Sequence, residues 1–540
     1  METNANHPRV AYFCMEYGLD SDLRTYAGGL GILAGDYLKG AKEYNYPIIG
    51  IGIKWKNGYS DQHIDEHGKP YVVYNDYEYD YMEDTGITVD VKVRGRNVTC
   101  KVWKMEEFGS ATLYMLDTDL PQNEDKWITE KLYGGTKDDR VAQEIVLGIG
   151  GVRALRKLGI DVDLYHFNEG HALLAGFELM REEMEQGKSF EDAWGATREK
   201  IVFTTHTPVV QGNESHTIDR LMYMSANLGL TWDQLMRIGG NPFNMTVGAL
   251  RLSRKSNAVA QLHGVTANRM WRNIQGASEI AAITNGIHRG TWVDPAMLKA
   301  GETGKNLWEN HMVNKRNLIK MAEERNGAKL DENKLLIGFS RRTVPYKRTE
   351  LVFSKPEVIN PLLKEQKVQF VFSGKAHPND DASRQTVARL VELSREFPNA
   401  VVFLENYDMT IGAAMTRGVD VWLNNPRRPK EASGTSGMKA AMNGVLNLSI
   451  LDGWWPEACR HGFNGWQFGN AYEAEGDNHK KLDDNDRDAL YNVLLREVIP
   501  TYYDNHDQWV TMMRNSIQHT RDGFSVKRML DEYYQYLYKM

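Results

Sequence analysis

From residue 335 onward the chain alternates between short apolar runs and helical patterns, and this alternation limits the fold more than any other feature of the sequence. Residues 335–339, 368–372, 400–404, 419–423 and 445–450 read as strands, and helical stretches such as 381–395 fill most gaps. Strand and helix in alternation predict an α/β fold with a parallel, doubly wound sheet. In such sheets ligands sit at the carboxyl ends of the strands. The residues just past the runs are Arg341 and Arg342, Lys375 and His377, Tyr407, Asn424 and Asn425, and Asp452. Arg341, Arg342, Lys347 and Lys375 can converge on one edge. A chain of net charge −7 that gathers cations at one rim is suited to an anionic ligand there, the competing reading being solvated rim charge.

The first half is less regular. Residues 10–15 and 47–55 read as strands, and Tyr26-Ala27-Gly28-Gly29-Leu30-Gly31 leads into a helical pattern over 32–44. A glycine turn at a helix start is a candidate phosphate-approach site. It is no GxGxxG fingerprint, because Ile32, Leu33 and Ala34 stand where the last glycine would fall. Residues 71–115, in which Val98, Cys100 and Val102 alternate with polar residues, predict an antiparallel elaboration. Residues 139–158 carry a helical stripe of Val141, Ile145, Val146, Ile149 and Val152. Strands at 164–167 and 280–284 lead to His171 and His288, and 201–208 reads as a strand ending in a polar loop that holds His206. Each histidine can simply bond its own loop, which is the preferred reading for His171. A zinc site from His206 and His216 lacks further ligands at suitable spacing, so no metal is expected. Residues 301–333 are polar and helical. The domains are expected at 1–300 and 301–515, with a segment 516–540 whose apolar and tyrosine stripe at 524–538 suits docking back on the first.

The length of 540 residues allows two or three domains with real cores. The negative net charge argues against a nucleic-acid partner. Cys14, Cys100 and Cys459 are too few and too scattered for a disulfide framework or a cysteine-bound zinc. No run has membrane-spanning length and the N-terminus has no signal-peptide pattern, so a cytoplasmic protein is expected.

The segment Lys430-Glu431-Ala432-Ser433-Gly434-Thr435-Ser436-Gly437-Met438-Lys439-Ala440-Ala441-Met442-Asn443-Gly444 carries the most chemistry. A small-residue loop opens onto a short helix that Gly444 stops, with Thr435 or Ser436 as the expected N-cap. Free N–H groups at a helix start suit a phosphate. Lys439 lies on the face of Thr435 in the first turn, where the helix end and burial both lower a lysine's pKa and favour Schiff-base formation. Taken alone, the segment is more simply read as a flexible glycine loop followed by a surface lysine.

Glu431-Ala432-Ser433-Gly434-Thr435 with Met438-Lys439 resembles the pyridoxal-phosphate segment of the α-glucan phosphorylases (glycogen, starch and maltodextrin phosphorylases), in a short bacterial-type form. The resemblance extends from Tyr12 to about Asp452. It implies the GT-B glycosyltransferase fold, two Rossmann-like doubly wound domains facing across a cleft, with pyridoxal 5'-phosphate as cofactor held by Lys439. Gly28-Gly29-Leu30-Gly31 is similar to the family's glycine loop, with Gly29 toward the cofactor and Gly28, Leu30 and Gly31 toward substrate. Arg341-Arg342-Thr343-Val344-Pro345-Tyr346-Lys347-Arg348 is similar to a motif in which Arg342 and Lys347 hold the substrate phosphate, Arg341 lies near the cofactor phosphate and Tyr346 near substrate. The resemblance places His206 at the glucose site, and Asn285 and Trp292 beside sugar and cofactor. It puts Tyr407, Thr435, Ser436 and Gly437 around the cofactor, and Glu431, Ala432, Ser433 and Gly434 at the sugar. Arg342, Lys347, His206 and Glu431 are the implied catalytic residues.

Departures from the family pattern are Arg341 for a lysine, Val344-Pro345 for His-Glu, Asp408 for an arginine of the large enzymes, and Ser436-Gly437 for Gly-Asn. The short N-terminus leads to the expectation of no phosphorylation switch. The implied reaction is retaining cleavage of terminal glucose from an α-1,4-glucan by inorganic phosphate, giving α-glucose 1-phosphate. By that likeness the cofactor's phosphate relays a proton and Lys439 is an anchor. The resemblance leaves the oligomeric state open, a homo-oligomer included. The alternatives are a nucleotide-sugar-dependent GT-B glucan synthase and a non-catalytic glucan-binding protein.

Overall fold

The computed structural model describes residues 7–473 and 479–540. The chain divides into two compact units. The first comprises residues 1–59, 74–284 and 529–540, and the second residues 60–73 and 285–528. The change between them falls at Thr284/Asn285, where the sequence pattern suggests residue 300.

Among the described residues, the first unit is built on a nine-stranded sheet. Edge to edge its strands are Ile280–Ala282, Lys255–Ala258, Ile201–Thr204, Leu164–Asn168, Val10–Phe13, Ile48–Ile53, Leu113–Asp117, Arg96–Met105 and Glu83–Val93. The first seven pair in parallel and the last two are added antiparallel. The antiparallel pair shows why: Val89, Val91 and Val93 alternate with exposed residues, so only one face is buried. Val10–Phe13 has no exposed position and lies mid-sheet. The helical stripe at 139–158 forms as expected. It starts on a capping box between Thr136 and Asp139, passes through π-helical turns at Ile145–Gly150, and ends at Gly159 in the left-handed conformation.

The tyrosine stripe near the C-terminus belongs to this unit. Tyr538 meets Tyr37 and His166, Tyr533 bonds Asn257, and Tyr46 donates to Asp531. His166 is sealed between Tyr538 and Thr204, and burial pushes it down to about 3.

The second unit holds a six-stranded, wholly parallel sheet in the order Val401–Leu404, Val368–Ser373, Leu335–Ser340, Val421–Asn424, Leu446–Ile450, Gly465–Phe468. Successive residues serve opposite cores. Leu335, Ile337, Phe339, Phe370, Phe372, Val421 and Leu423 face one, while Leu336, Val371 and Trp422 face the other. Both faces are covered by helices, so strands such as Leu335–Ser340 and Val421–Asn424 read as apolar runs, whereas Leu446–Ile450 buries Asn447 and Ser449 between its apolar residues. Asp420, just before its strand, is fully buried. It accepts from Lys315 and His311 and from the Leu336 N–H, fixing the strand's entry. Residues 60–73 join this unit because Asn406 Oδ1 accepts from Gln62 N and Glu405 Oε2 from Ile64 N.

Candidate active site

The segment between Asn424 and Leu446 delivers most of the chemistry of the second unit. Its helix is Thr435–Met442, with Gly434 and not Thr435 or Ser436 as the N-cap. Gly434 sits at φ 85°, a left-handed conformation that a side-chain cap residue adopts only with strain. Lys439 is buried, and its Nζ lies 3.5 Å from the centroid of the Trp292 ring. The Trp292 carbonyl is fixed by Asn443 Nδ2 at 3.1 Å and Arg417 Nε at 3.0 Å. Trp292 itself ends the short helix Arg289–Trp292, capped by His288, whose ring is committed to Thr291.

Upstream of the helix, Glu431 is the centre of a cluster of cations. Arg341, the first residue past Leu335–Ser340, pairs with Glu431 and reaches Ser436 Oγ at 3.3 Å. Lys347 Nζ stands 3.8 Å from Glu431. Burial pushes Glu431 up, but Lys347, Arg341 and Arg342 outweigh it and hold the carboxyl below its ordinary range. Burial, with the two arginines adding, pushes Lys347 down to about 8 against the pull of Glu431. Arg342 is exposed, and Tyr346 is half-buried in the turn Pro345–Lys347. Lys375 meets this group through its backbone, accepting from Thr343 N at 2.9 Å.

Asp452 and its neighbours clamp the loop. Its carboxylate accepts from Glu431 N at 3.0 Å and Gly453 N at 2.8 Å, and Trp454 N donates to Ser433 O at 2.8 Å. Gly453 has φ 59°, and a Cβ there would stand 2.2 Å from Ser433 O, so only glycine fits. Burial, then repulsion from Glu431, pushes Asp452 up to about 8. Several buried polar atoms near the strand ends lack a hydrogen-bond partner among the described residues, Arg341 Nε, Ser433 Oγ and Asn285 Oδ1 among them. Tyr407 is half-buried beside Gly412, and Asp408 caps the helix Met409–Gly418 by accepting from Ile411 N. Ala432, Thr435 and Ser436 are half-buried and Gly437 is buried.

The first unit presents a different set at its strand ends. His206 follows Ile201–Thr204, bonds Asn168 Oδ1 at 2.6 Å, and donates its backbone N–H to Glu169 Oε2 at 2.9 Å. Enclosure, with His263 and His171 adding, pushes it down to about 3, so the imidazole is neutral. His171 is held down to about 4, chiefly by burial. Its Nδ1 has no partner among the described residues, so the expected bond to its own loop is not what satisfies it.

The helix Gly29–Glu43 starts earlier than its apolar pattern, placing Gly29, Leu30 and Gly31 in the first turn behind Gly28. Glu16 Oε2 accepts from Ala27 N at 2.7 Å and Gly28 N at 3.1 Å, and Tyr133 donates to Oε1 at 2.7 Å. A Cβ on Gly31 would meet Glu16 Oε2 at 2.6 Å. The Ala27 and Gly28 N–H groups of the glycine loop are therefore spent on an internal carboxylate. Glu16 stands just past the first strand, and that position is the signal the sequence carries for it.

A family model for carbohydrate phosphorylases matches residues 264–540. The maltodextrin phosphorylase of Thermococcus litoralis is 40% identical, over 99% of this chain and 71% of that protein. The glycogen phosphorylase of Aquifex aeolicus is 35% identical, over 98% of this chain and 86% of its own length. A Methanocaldococcus jannaschii protein without a functional name is 36% identical over 98% of this chain and 99% of its length. Two doubly wound α/β units with ligand-type residues at their strand ends define a GT-B fold. The chain belongs to the carbohydrate phosphorylase family.

Proposed function

We propose that the protein is an α-1,4-glucan phosphorylase, removing terminal glucose from glycogen or maltodextrin with inorganic phosphate and releasing α-D-glucose 1-phosphate with retention. The observation that carries this reading is the gathering of Arg341, Arg342 and Lys347 on Glu431, in the same segment as the buried Lys439. Glycosidases surround the cationic anomeric centre with two carboxylates. Here the attacking group is itself an anion, which paired carboxylates would repel. Arg342 and Lys347 bind and orient it by charge-assisted hydrogen bonds. Glu431, kept ionised by its cations, accepts hydrogen bonds from sugar hydroxyls, with Ala432, Ser433 and Gly434 beside it. His206, neutral, offers a hydrogen bond to an uncharged hydroxyl. Asn285, Tyr346 and the loop Gly28, Leu30 and Gly31 complete the substrate set by family resemblance.

The residues present fit pyridoxal 5'-phosphate. Lys439 offers a buried amine against an aromatic face, and Arg341 Nε is a buried donor with no acceptor among the described residues. Lys439 would hold the cofactor's carbonyl carbon. Arg341, Thr435, Ser436 and Gly437 would hold its phosphate, and Trp292 and Tyr407 its ring, while Gly29 enters by resemblance. When bound, the cofactor supplies a phosphate group able to hold and return a proton. Among the described residues no helix is long and apolar enough to cross a membrane, and we place the activity in the cytoplasm.

The test is incubation of the purified, cofactor-loaded protein with a maltooligosaccharide series and orthophosphate. The expected product is glucose 1-phosphate. Chain extension from a nucleotide sugar with no phosphorolysis would replace this reading by the glucan synthase, and glucan binding without turnover by the non-catalytic one.

A further inference from the structure

One buried place in the first unit brings together three side chains of metal-ligand type that the proposed reaction does not use. Glu144 ends the helix Lys137–Glu144, and Glu214 precedes the short strand Ser215–His216, which pairs with Phe243–Asn244. His216 Nε2 lies 3.0 Å from Glu214 Oε1 and 3.7 Å from Glu144 Oε2, and all three ligand atoms fall within 4.8 Å of one another. Bonds of about 2.0–2.2 Å in a tetrahedral site put neighbouring ligand atoms about 3.3–3.5 Å apart, between the two observed separations.

Two further observations point to a cation. Glu144 has no solvent exposure, and neither of its carboxylate oxygens has a hydrogen-bond donor among the described residues. His216 Nε2, although close to both carboxylates, lacks the alignment of a hydrogen bond to either. A buried carboxylate without donors is strongly disfavoured unless a positive charge completes it. Arg140 approaches Glu214 at 3.8 Å, whereas among the described residues Glu144 faces only the misaligned ring of His216 at 3.7 Å.

We propose that Glu144, Glu214 and His216 form a binding site for one divalent transition-metal ion. One nitrogen and two carboxylate donors, with a water in the fourth position, suit Zn²⁺. The ion is structural. It staples the end of the segment that starts at His206 to the helix Lys137–Glu144, beside the Glu214 carbonyl that accepts from Met245 N at 2.9 Å. Of these ligands the sequence pattern offers only His216, because Glu144 comes from a separate element.

The experiment uses the full chain, stripped with EDTA and dialysed against Zn²⁺ or Co²⁺, with bound metal measured by mass spectrometry. One equivalent is expected, together with the visible absorption of four-coordinate Co²⁺ and no thiolate-to-cobalt band. Glu144→Gln and His216→Asn, checked for folding by circular dichroism, should each lose that equivalent. No uptake overturns the proposal, as does uptake that survives in the folded variants or a cobalt spectrum with a thiolate band. If neither variant folds, the wild-type stoichiometry and cobalt spectrum decide by themselves.

Discussion

The strand ends of the two units solve opposite electrostatic problems. In the second unit, Arg341, Arg342 and Lys347 crowd one carboxylate, Glu431, so the site holds more positive than negative charge. In the first, His206 and His171 are kept neutral by burial, and His206 is tied to Asn168 and Glu169 through short hydrogen bonds. A surplus of fixed cations selects an anion. A neutral ring held by an amide partner suits uncharged hydroxyls, for which a charge would only add desolvation cost. On the proposed reading the phosphate contacts belong to the second unit, which also lends Glu431 to sugar hydroxyls, and the first unit adds the neutral His206 to the sugar contacts.

The largest effect should come from Lys439→Ala. It is expected to reduce glucose 1-phosphate formation by more than about 10³-fold and to abolish the absorbance of bound pyridoxal phosphate. An active variant that kept the absorbance would remove Lys439 from the site. Next is Glu431→Gln, which strips the cations of their shared partner. We expect kcat/KM to fall about 10²–10³-fold, and a value near wild type would show the cluster to be ordinary rim charge.

The pH dependence sharpens the comparison further. Lys347 is pushed down to about 8, so its positive charge is present below that pH and lost above it. The KM for phosphate should therefore rise as pH passes through about 8, and the rise should flatten in Lys347→Arg, whose charge persists. The smallest effect belongs to Asp408→Ala. Because Asp408 spends its carboxylate on Ile411 N, the loss should be about 1 kcal/mol of stability by denaturant unfolding, with phosphorolysis unchanged.

The sheet of the second unit was legible wherever a strand is buried on both faces. The run beginning near Leu335 announces itself because no polar residue interrupts it, and the one from Val368 has only Gln369 within it. Lys255–Ala258 and Gly465–Phe468 did not, since neither has an apolar run and each becomes a strand only through its neighbours' pairing. The cations past the strand ends could be read for the same topological reason that the strands could. What holds them could not. The clamp of Asp452 on Glu431 and the grip of Asn443 and Arg417 on Trp292 are contacts between distant segments. Local pattern carries no trace of such contacts. Ser and Thr are good caps in general, which draws the expected cap of Thr435–Met442 to Thr435 or Ser436, whereas this loop turns through a left-handed glycine.

The most direct test of the division of labour is a kinetic matrix, in which the KM for orthophosphate and the KM for a maltooligosaccharide are measured for wild type, Lys347→Ala and His206→Ala. The account predicts that Lys347→Ala raises the phosphate KM about tenfold or more and leaves the glucan KM within about twofold, with His206→Ala showing the reverse. Equal rises in both constants for both variants, or a crossed pattern, would contradict it.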